Sequence, residues 1–199
     1  MGGTPRIYVY KLRTENGSAP AVFRGQLSLA ICKPKIRATA DVGDWIIGVA
    51  GKDLRPGAPL IYIAQVTDAI ENGLYYLTNR YLRRPDNIYK WRNSRLKLMP
   101  PPQVHDESDE SRDIGTGPLY KGARVLLSQR YRYFGRSASD WYAGVSPVAH
   151  QLAQAVGRGH RVNHTDEDHL AWMKVIRAAM KKTQHRVKPI EYTKTSCKH

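Results

Sequence analysis

Cysteine is scarce: Cys32 and Cys197 are the only two among 199 residues, and no CxxC pair occurs. This excludes a disulfide framework and a cysteine-rich zinc site, and both residues are expected to be thiols. No apolar run approaches the ~20 residues that span a bilayer. The opening MGGTPRIYVYKL lacks a secretory apolar stretch, and Arg6 stands where an N-myristoylation motif requires Ser or Thr. A cytoplasmic chain with no membrane partner is the expectation. Gly48, Gly51 and Lys52 do not complete a P-loop, so ATP use has no support. Ser128 has no nucleophile-elbow context. His160, His164 and His169 lack a nearby Cys or patterned carboxylate, so no metal is assigned and the cofactor stays unknown. Internal repeats are absent.

Acid is the other deficit. Against 32 Lys and Arg stand 17 Asp and Glu, a net charge of +15 that suits an anionic polymer. Nucleic acid precedes an anionic membrane as partner, because Pro and Gly interrupt the basic segments and no basic amphipathic helix forms. The densest run is residues 80–97, RYLRRPDNIYKWRNSRLK, where seven basic residues interleave with Tyr81, Tyr89 and Trp91 and meet one acid, Asp86. Cations grip phosphates, and stacking on aromatic rings adds ~1–3 kcal/mol per base. A solvated Arg-rich loop has a similar composition, but the mixture recurs at 124–136, RVLLSQRYRYFGR.

Short β-type runs fill the first half: 7–12, IYVYKL, before the Asn16-Gly17 turn; 27–32, LSLAIC; 44–49, DWIIGV; and 60–69, LIYIAQVTDA, the longest. Residues 125–127 read as another strand. Residues 100–118 open on three prolines and then carry His105, Asp106, Glu107, Asp109, Glu110 and Asp113, which predicts a mobile acidic surface loop. Two helices close the chain. Ser146 caps the first, Pro147 starts it, Gly157 ends it, and Val148, Leu152, Ala155 and Val156 share a face. Thr165 caps the second, whose expected buried stripe is Leu170, Met173, Ile176 and Met180. Together these predict one basic α+β domain over residues 1–184, β-rich with two C-terminal helices, and a flexible tail at 185–199.

Within 32–52, CKPKIRATADVGDWIIGVAGK, an extended chain would project Lys33, Lys35 and Arg37 from one face toward a phosphate. Pro34 restricts that stretch to an edge strand or loop, where the cations serve equally to keep an edge soluble. Lys52 can reach a phosphate, while Trp45 at a strand start suits the core as well as a base. Arg158 and Arg161 flank the link between the two helices, before a helix start that can bind phosphate.

The ordered strings LSLAICKPKIR, VGDWIIG, RPDNIY and LLSQRYRYFG resemble the second nucleotide-modification-associated domain, a family linked to DNA base hypermodification in phages and bacteria; the resemblance runs over residues 6–174. VGDWIIGVAGK followed by IYIAQV also looks like the small β-barrels of the PUA, ASCH and EVE kind. The resemblance implies a barrel core and DNA, with modified bases, as partner. A base extruded from a duplex needs stacking faces and bonds to its edge, at a few kcal/mol of unstacking. Tyr81, Tyr89, Trp91, Phe134 and Trp45 are the candidate faces and Asn87 the edge reader, although Asp86 and Asn87 after Pro85 also suit a turn. Phosphate contact falls to Lys33, Lys35, Arg37, Lys52, Arg80, Arg83, Arg84, Arg158 and Arg161. In an enzyme of base modification or excision Asp86 is the general base or electrostatic stabiliser. A non-catalytic reader of modified bases, or an RNA-binding accessory protein, would use the same surface.

Overall fold

The computed structural model describes residues 3–99 and 105–183; the expected tail at 185–199 lies outside these. The described chain gathers into two compact units, each built from separate stretches: residues 3–15, 40–66 and 130–183 in one, and 16–39, 67–99 and 105–129 in the other.

In the first unit the β-branched and aromatic runs form a five-stranded sheet, ordered Arg130–Tyr133, Leu60–Gln65, Trp45–Ala50, Ile7–Leu12 and His160–Arg161. Ile7–Leu12 runs parallel to Trp45–Ala50, residue for residue from Ile7↔Trp45 to Leu12↔Ala50, and the other pairings are antiparallel. Alternate side chains Ile7, Val9, Ile47, Val49 and Ile63 pack with Trp172, Val175, Ile176 and Tyr142 in one core. The other alternation includes Tyr10 and Tyr62, fully buried, with the Tyr62 hydroxyl donating to that of Tyr10 at 3.0 Å. Tyr62 lies against Gly48, where a Cβ would come within 2.3 Å of its ring and 2.6 Å of Leu12. Gly48→Ala should therefore overpack the sheet and lower unfolding free energy by about 1–3 kcal/mol in a urea titration; a midpoint within error of wild type would show that the ring moves aside.

Both C-terminal helices start where their caps predict. Ser146 Oγ accepts from Ala149 N at 3.2 Å ahead of Pro147–Ala155, and Thr165 Oγ1 from Asp168 N at 3.2 Å ahead of Asp166–Lys181. Their buried faces match expectation in part: Val156 and Ile176 are buried, and Leu152, Met173 and Met180 pack against the core. The first turns Ala149 and Ala153 inward and leaves Val148 38% exposed; the second buries Ala171, Trp172, Val175, Ile176 and Ala179 and leaves Leu170 59% exposed. Small alanines allow close approach and one large indole fills the space, so Ala and Trp sit at the centre of each contact while Leu152, Met173 and Met180 pack at its margin.

The second unit holds an antiparallel four-stranded sheet, ordered Ala21–Phe23, Gln26–Leu29, Val125–Ser128 and Asp68–Ile70, and a separate ribbon of Tyr89–Arg92 with Arg95–Leu98. Its core contains Tyr75, Tyr76, Tyr89, Leu96, Ile114, Tyr120, Val125 and Leu127.

The fold is α+β as expected, but among the described residues neither larger sheet closes on itself, so the barrel expectation fails: His160–Arg161 and Arg130–Tyr133 are edges of one, Ala21–Phe23 and Asp68–Ile70 of the other. The run at 60–69 is two strands, Leu60–Gln65 and Asp68–Ile70, placed in different sheets. Part of the expected acidic loop is the helix Glu107–Ile114, while 100–104 lie outside the described residues. Asp106 accepts from Ser108 N at 2.8 Å and Asp109 reaches back to Asp106 N at 3.3 Å, so the acids close a capping box and complement the helix dipole. The KPKIR stretch is also helical, Pro34–Thr39, with Pro serving as a first helical residue.

Candidate functional site

The run at 80–97 divides sharply once folded. The ribbon Tyr89–Arg92/Arg95–Leu98 turns through Asn93 and Ser94, both left-handed at φ 49° and 59°, as a tight two-residue hairpin requires. Its alternation sends Tyr89, Trp91, Leu96 and Leu98 toward the core and exposes Lys90, Arg92, Arg95 and Lys97. The register sets Lys90 opposite Lys97 and Arg92 opposite Arg95. Like charges directly opposite on a ribbon destabilise it. Lys97 has Glu110 at 3.6 Å to offset its charge, and the helix that carries Glu110 forms the far wall of a cleft of about 730 Å³. Arg95, Lys97, Glu107, Ser111 and Tyr120 are among its lining residues. Arg80 and Arg83 are also exposed, on the turns that precede the ribbon, where Leu74 and Leu77 are each 53% exposed.

The expected base-stacking rings face inward. Tyr81 stacks on Tyr75 with centroids 4.8 Å apart, and Tyr89 meets Tyr76 edge to face at 5.4 Å. Both are buried, so neither presents a free face; Trp91, half-buried, packs on Tyr120 at 5.3 Å. In the first unit Trp45 is buried beneath Arg130, and Phe134 packs on Trp141 at 6.0 Å. Asn87 is buried, its Nδ2 donating to Tyr75 O at 3.3 Å, and its Oδ1 has no hydrogen-bond partner among the described residues.

Asp86, expected at an open site, is completely buried. Ser28 Oγ donates to its Oδ2 at 2.5 Å and Tyr75 Oη to its Oδ1 at 2.7 Å. Arg84 Nε stands 3.6 Å from Oδ1, beyond hydrogen-bond range, so charge rather than a bond holds that pair. Burial pushes the Asp86 carboxyl above its ordinary value against the opposing pull of Arg84, Ser28 and Tyr75. Arg84, expected on phosphate, instead donates to the carbonyls of Ala21, Phe23 and Gln26 and to Ser28 Oγ. This network ties the loop 84–87 to the hairpin Ala21–Phe23/Gln26–Leu29, and its groups are consumed by that task.

Arg37 is likewise inside, because a helix at residues 34–39 scatters the three cations that an extended chain would align. Lys35 is exposed, Lys33 half-buried, and Arg37 only 1% exposed. Its guanidinium donates to the carbonyls of Cys32 at 2.7 Å, Gly122 at 2.5 Å, Arg124 at 2.8 Å and Asp113 at 2.8 Å. Asp113 anchors a second buried cluster: its Oδ1 accepts from Cys32 N at 2.9 Å, and its Oδ2 from Tyr89 Oη at 2.8 Å and from His105 Nδ1. Burial and the Asp113 charge hold the Tyr89 phenol far above its ordinary range, so it acts as a donor. The other ring nitrogen, His105 Nε2, is 3.1 Å from Cys32 Sγ. In the first unit Lys52 and Arg158 are exposed, while Arg161 is paired with Asp168 at 2.7 Å.

The exposed cations of the ribbon were legible in outline, since the alternation YKWR-NS-RLKL is in the chain. Composition alone nevertheless points to Arg37 and Arg84 as readily as to Lys90 and Lys97. The approach of Cys32, His105 and Asp113 had no sequence signal, because partners 73 and 81 residues apart converge only on folding.

No curated protein and no solved structure matches this chain. The model of one family, described as nucleotide modification associated domain 2, matches residues 4–196. A match over nearly the whole length settles kinship: the chain belongs to the nucleotide modification associated domain 2 family.

Proposed function

We propose that this protein binds DNA through the ribbon Tyr89–Arg92/Arg95–Leu98 and acts on, or recognises, modified bases there. The observation that carries the reading is the pairing of Lys90 with Lys97 and Arg92 with Arg95 on one exposed face. An arrangement that costs stability in the free chain becomes favourable when phosphates lie across it, and a two-stranded ribbon fits the major groove. Successive cations on each strand sit about 7 Å apart, twice the rise per residue. Membership of a nucleotide-modification family supports a base as the object. The cleft of about 730 Å³ beside Arg95 and Lys97 is large enough for a nucleotide turned out of the stack.

The test is fluorescence anisotropy with duplex DNA across a salt series. Lys90→Ala with Arg92→Ala should weaken binding about tenfold near 100 mM salt and reduce the magnitude of the log-affinity slope by about 2, from a loss of ~0.9 per phosphate contact. Unchanged affinity and slope would remove the ribbon as the DNA contact. Tighter competition by RNA than by modified DNA would move the reading to an RNA-binding protein.

A further inference from the structure

We propose that Cys32, His105 and Asp113 form a nucleophilic centre whose thiol adds to a pyrimidine base. The thiol role stands on this unit's geometry alone; the pyrimidine as substrate rests on the reading of a base as the object.

Three observations converge. The first is the order of the groups. Asp113 Oδ2 takes the proton side of His105 at Nδ1, which leaves the Nε2 lone pair directed at Cys32 Sγ 3.1 Å away. A carboxylate that fixes the imidazole tautomer and an imidazole that faces the nucleophile form the arrangement that activates a thiol or hydroxyl. The second is support behind the carboxylate. Asp113 is held by Tyr89 Oη and Cys32 N, and Arg37 stands 3.9 Å from its Oδ1, so the carboxyl is fixed in orientation behind the imidazole. His105 is buried with it, whereas Cys32 is partly exposed, so the base is more sheltered than the residue that carries the nucleophile.

The third is backbone geometry. After the strand Gln26–Leu29, Cys32 and Lys33 are both left-handed, at φ 58° and 44°, and the helix Pro34–Thr39 begins at the next residue. Neither residue is glycine, so each conformation is costly and persists only where the surroundings impose it. Here they do, since Cys32 N is bonded to Asp113 and Cys32 O to Arg37. A strained nucleophile at a sharp strand-to-helix turn is the geometry that lifts a reactive atom clear of the backbone. A cysteine serving only as packing needs neither the turn nor the imidazole.

The chemistry follows from sulfur. A thiolate is a soft nucleophile suited to conjugated carbon, and among base atoms the C6 of a pyrimidine is such an acceptor. The Cys32 S–H proton passes to His105 Nε2, a bond forms between sulfur and C6, and the C5=C6 π pair moves to C5. The imidazolium, in exchange with solvent, returns a proton to C5. Loss of a C5 proton and expulsion of sulfur then restore base and thiol with no other reactant consumed.

The experiment uses the full chain carrying Cys197→Ser, so that iodoacetamide reports on Cys32 alone. At pH 7 the folded chain should be alkylated at least tenfold faster than the same chain unfolded in urea, a comparison that needs no further variant. His105→Gln, checked for native circular dichroism, should bring the rate down at least tenfold. A folded rate no faster than the unfolded one, or a rate indifferent to His105→Gln, overturns the nucleophilic centre. In heavy water, the same chain should place deuterium on C5 of deoxycytidine monophosphate, and Cys32→Ser should not. Rapid alkylation without that exchange overturns the pyrimidine assignment and leaves the thiol. Because the mononucleotide does not need the ribbon, exchange there but not on DNA counts against the DNA reading and supports the centre.

Discussion

Arg37→Met should lower the free energy of unfolding by about 3–5 kcal/mol, the cost of breaking a buried, fully bonded charge. Met fills a similar volume but donates nothing, and the carbonyls of Cys32, Gly122, Arg124 and Asp113 would each lose a donor. An unsatisfied buried acceptor costs ~1–3 kcal/mol, so the sum is large even after relaxation. Arg37→Lys should recover little, because one ammonium on a flexible stem cannot replace a planar fork that reaches five carbonyls, the longest being Arg112 O at 3.4 Å. The same change should disturb the turn at Cys32, whose carbonyl is one of these acceptors. Urea titration followed by circular dichroism reads the loss; a change under 1 kcal/mol would mean that the helix Pro34–Thr39 and the turn at residues 121–124 are held by other contacts.

Asp86→Ala should cost about 3–5 kcal/mol, since it strands the Arg84 guanidinium as a buried charge without its counter-ion. Asp86→Asn should cost less, about 1–3 kcal/mol, because one oxygen can still accept from Ser28 or Tyr75 while the amide nitrogen meets a donor in place of the other. The two variants also differ from wild type in pH dependence. Burial raises the Asp86 pKa in the folded chain, so the folded state holds that proton more tightly than the unfolded state does. Its contribution is therefore fully present below the ordinary value of 3.8 and is lost as pH rises through the raised folded value. Asp86→Asn should remove that part of the slope. A variant whose unfolding midpoint tracks wild type at every pH would show that Asp86 does not titrate as an isolated buried acid.

These two expectations mark where residue type misleads. Arg37 and Arg84 have the composition of phosphate grips, yet each is enclosed by backbone carbonyls. An arginine can serve either role because its five donors satisfy phosphate oxygens or orphaned carbonyls equally well. Tyr81 and Tyr89 carry the same ambiguity: a ring that could stack on a base stacks on Tyr75 or meets Tyr76. The prolines were misleading in another way. Pro34 suits an edge strand or loop and instead begins a helix, and the acids of 106–113 cap a helix rather than fill a loop.

Features that depend on neighbours within a few residues can be read from the chain alone. The strands Ile7–Leu12 and Val125–Ser128 follow β-branched and aromatic runs, and the starts of Pro147–Ala155 and Asp166–Lys181 follow Ser146 and Thr165. The α+β class, the +15 charge and the family strings are of the same kind. Which cations face outward and which close the core is settled on folding, because burial is set by partners tens of residues away. Folding also brings Asp113 to the amide of Cys32 across 81 residues and His105 to its thiol across 73. Local spacing carries no trace of such meetings; packing around Arg37 and Tyr89 creates them.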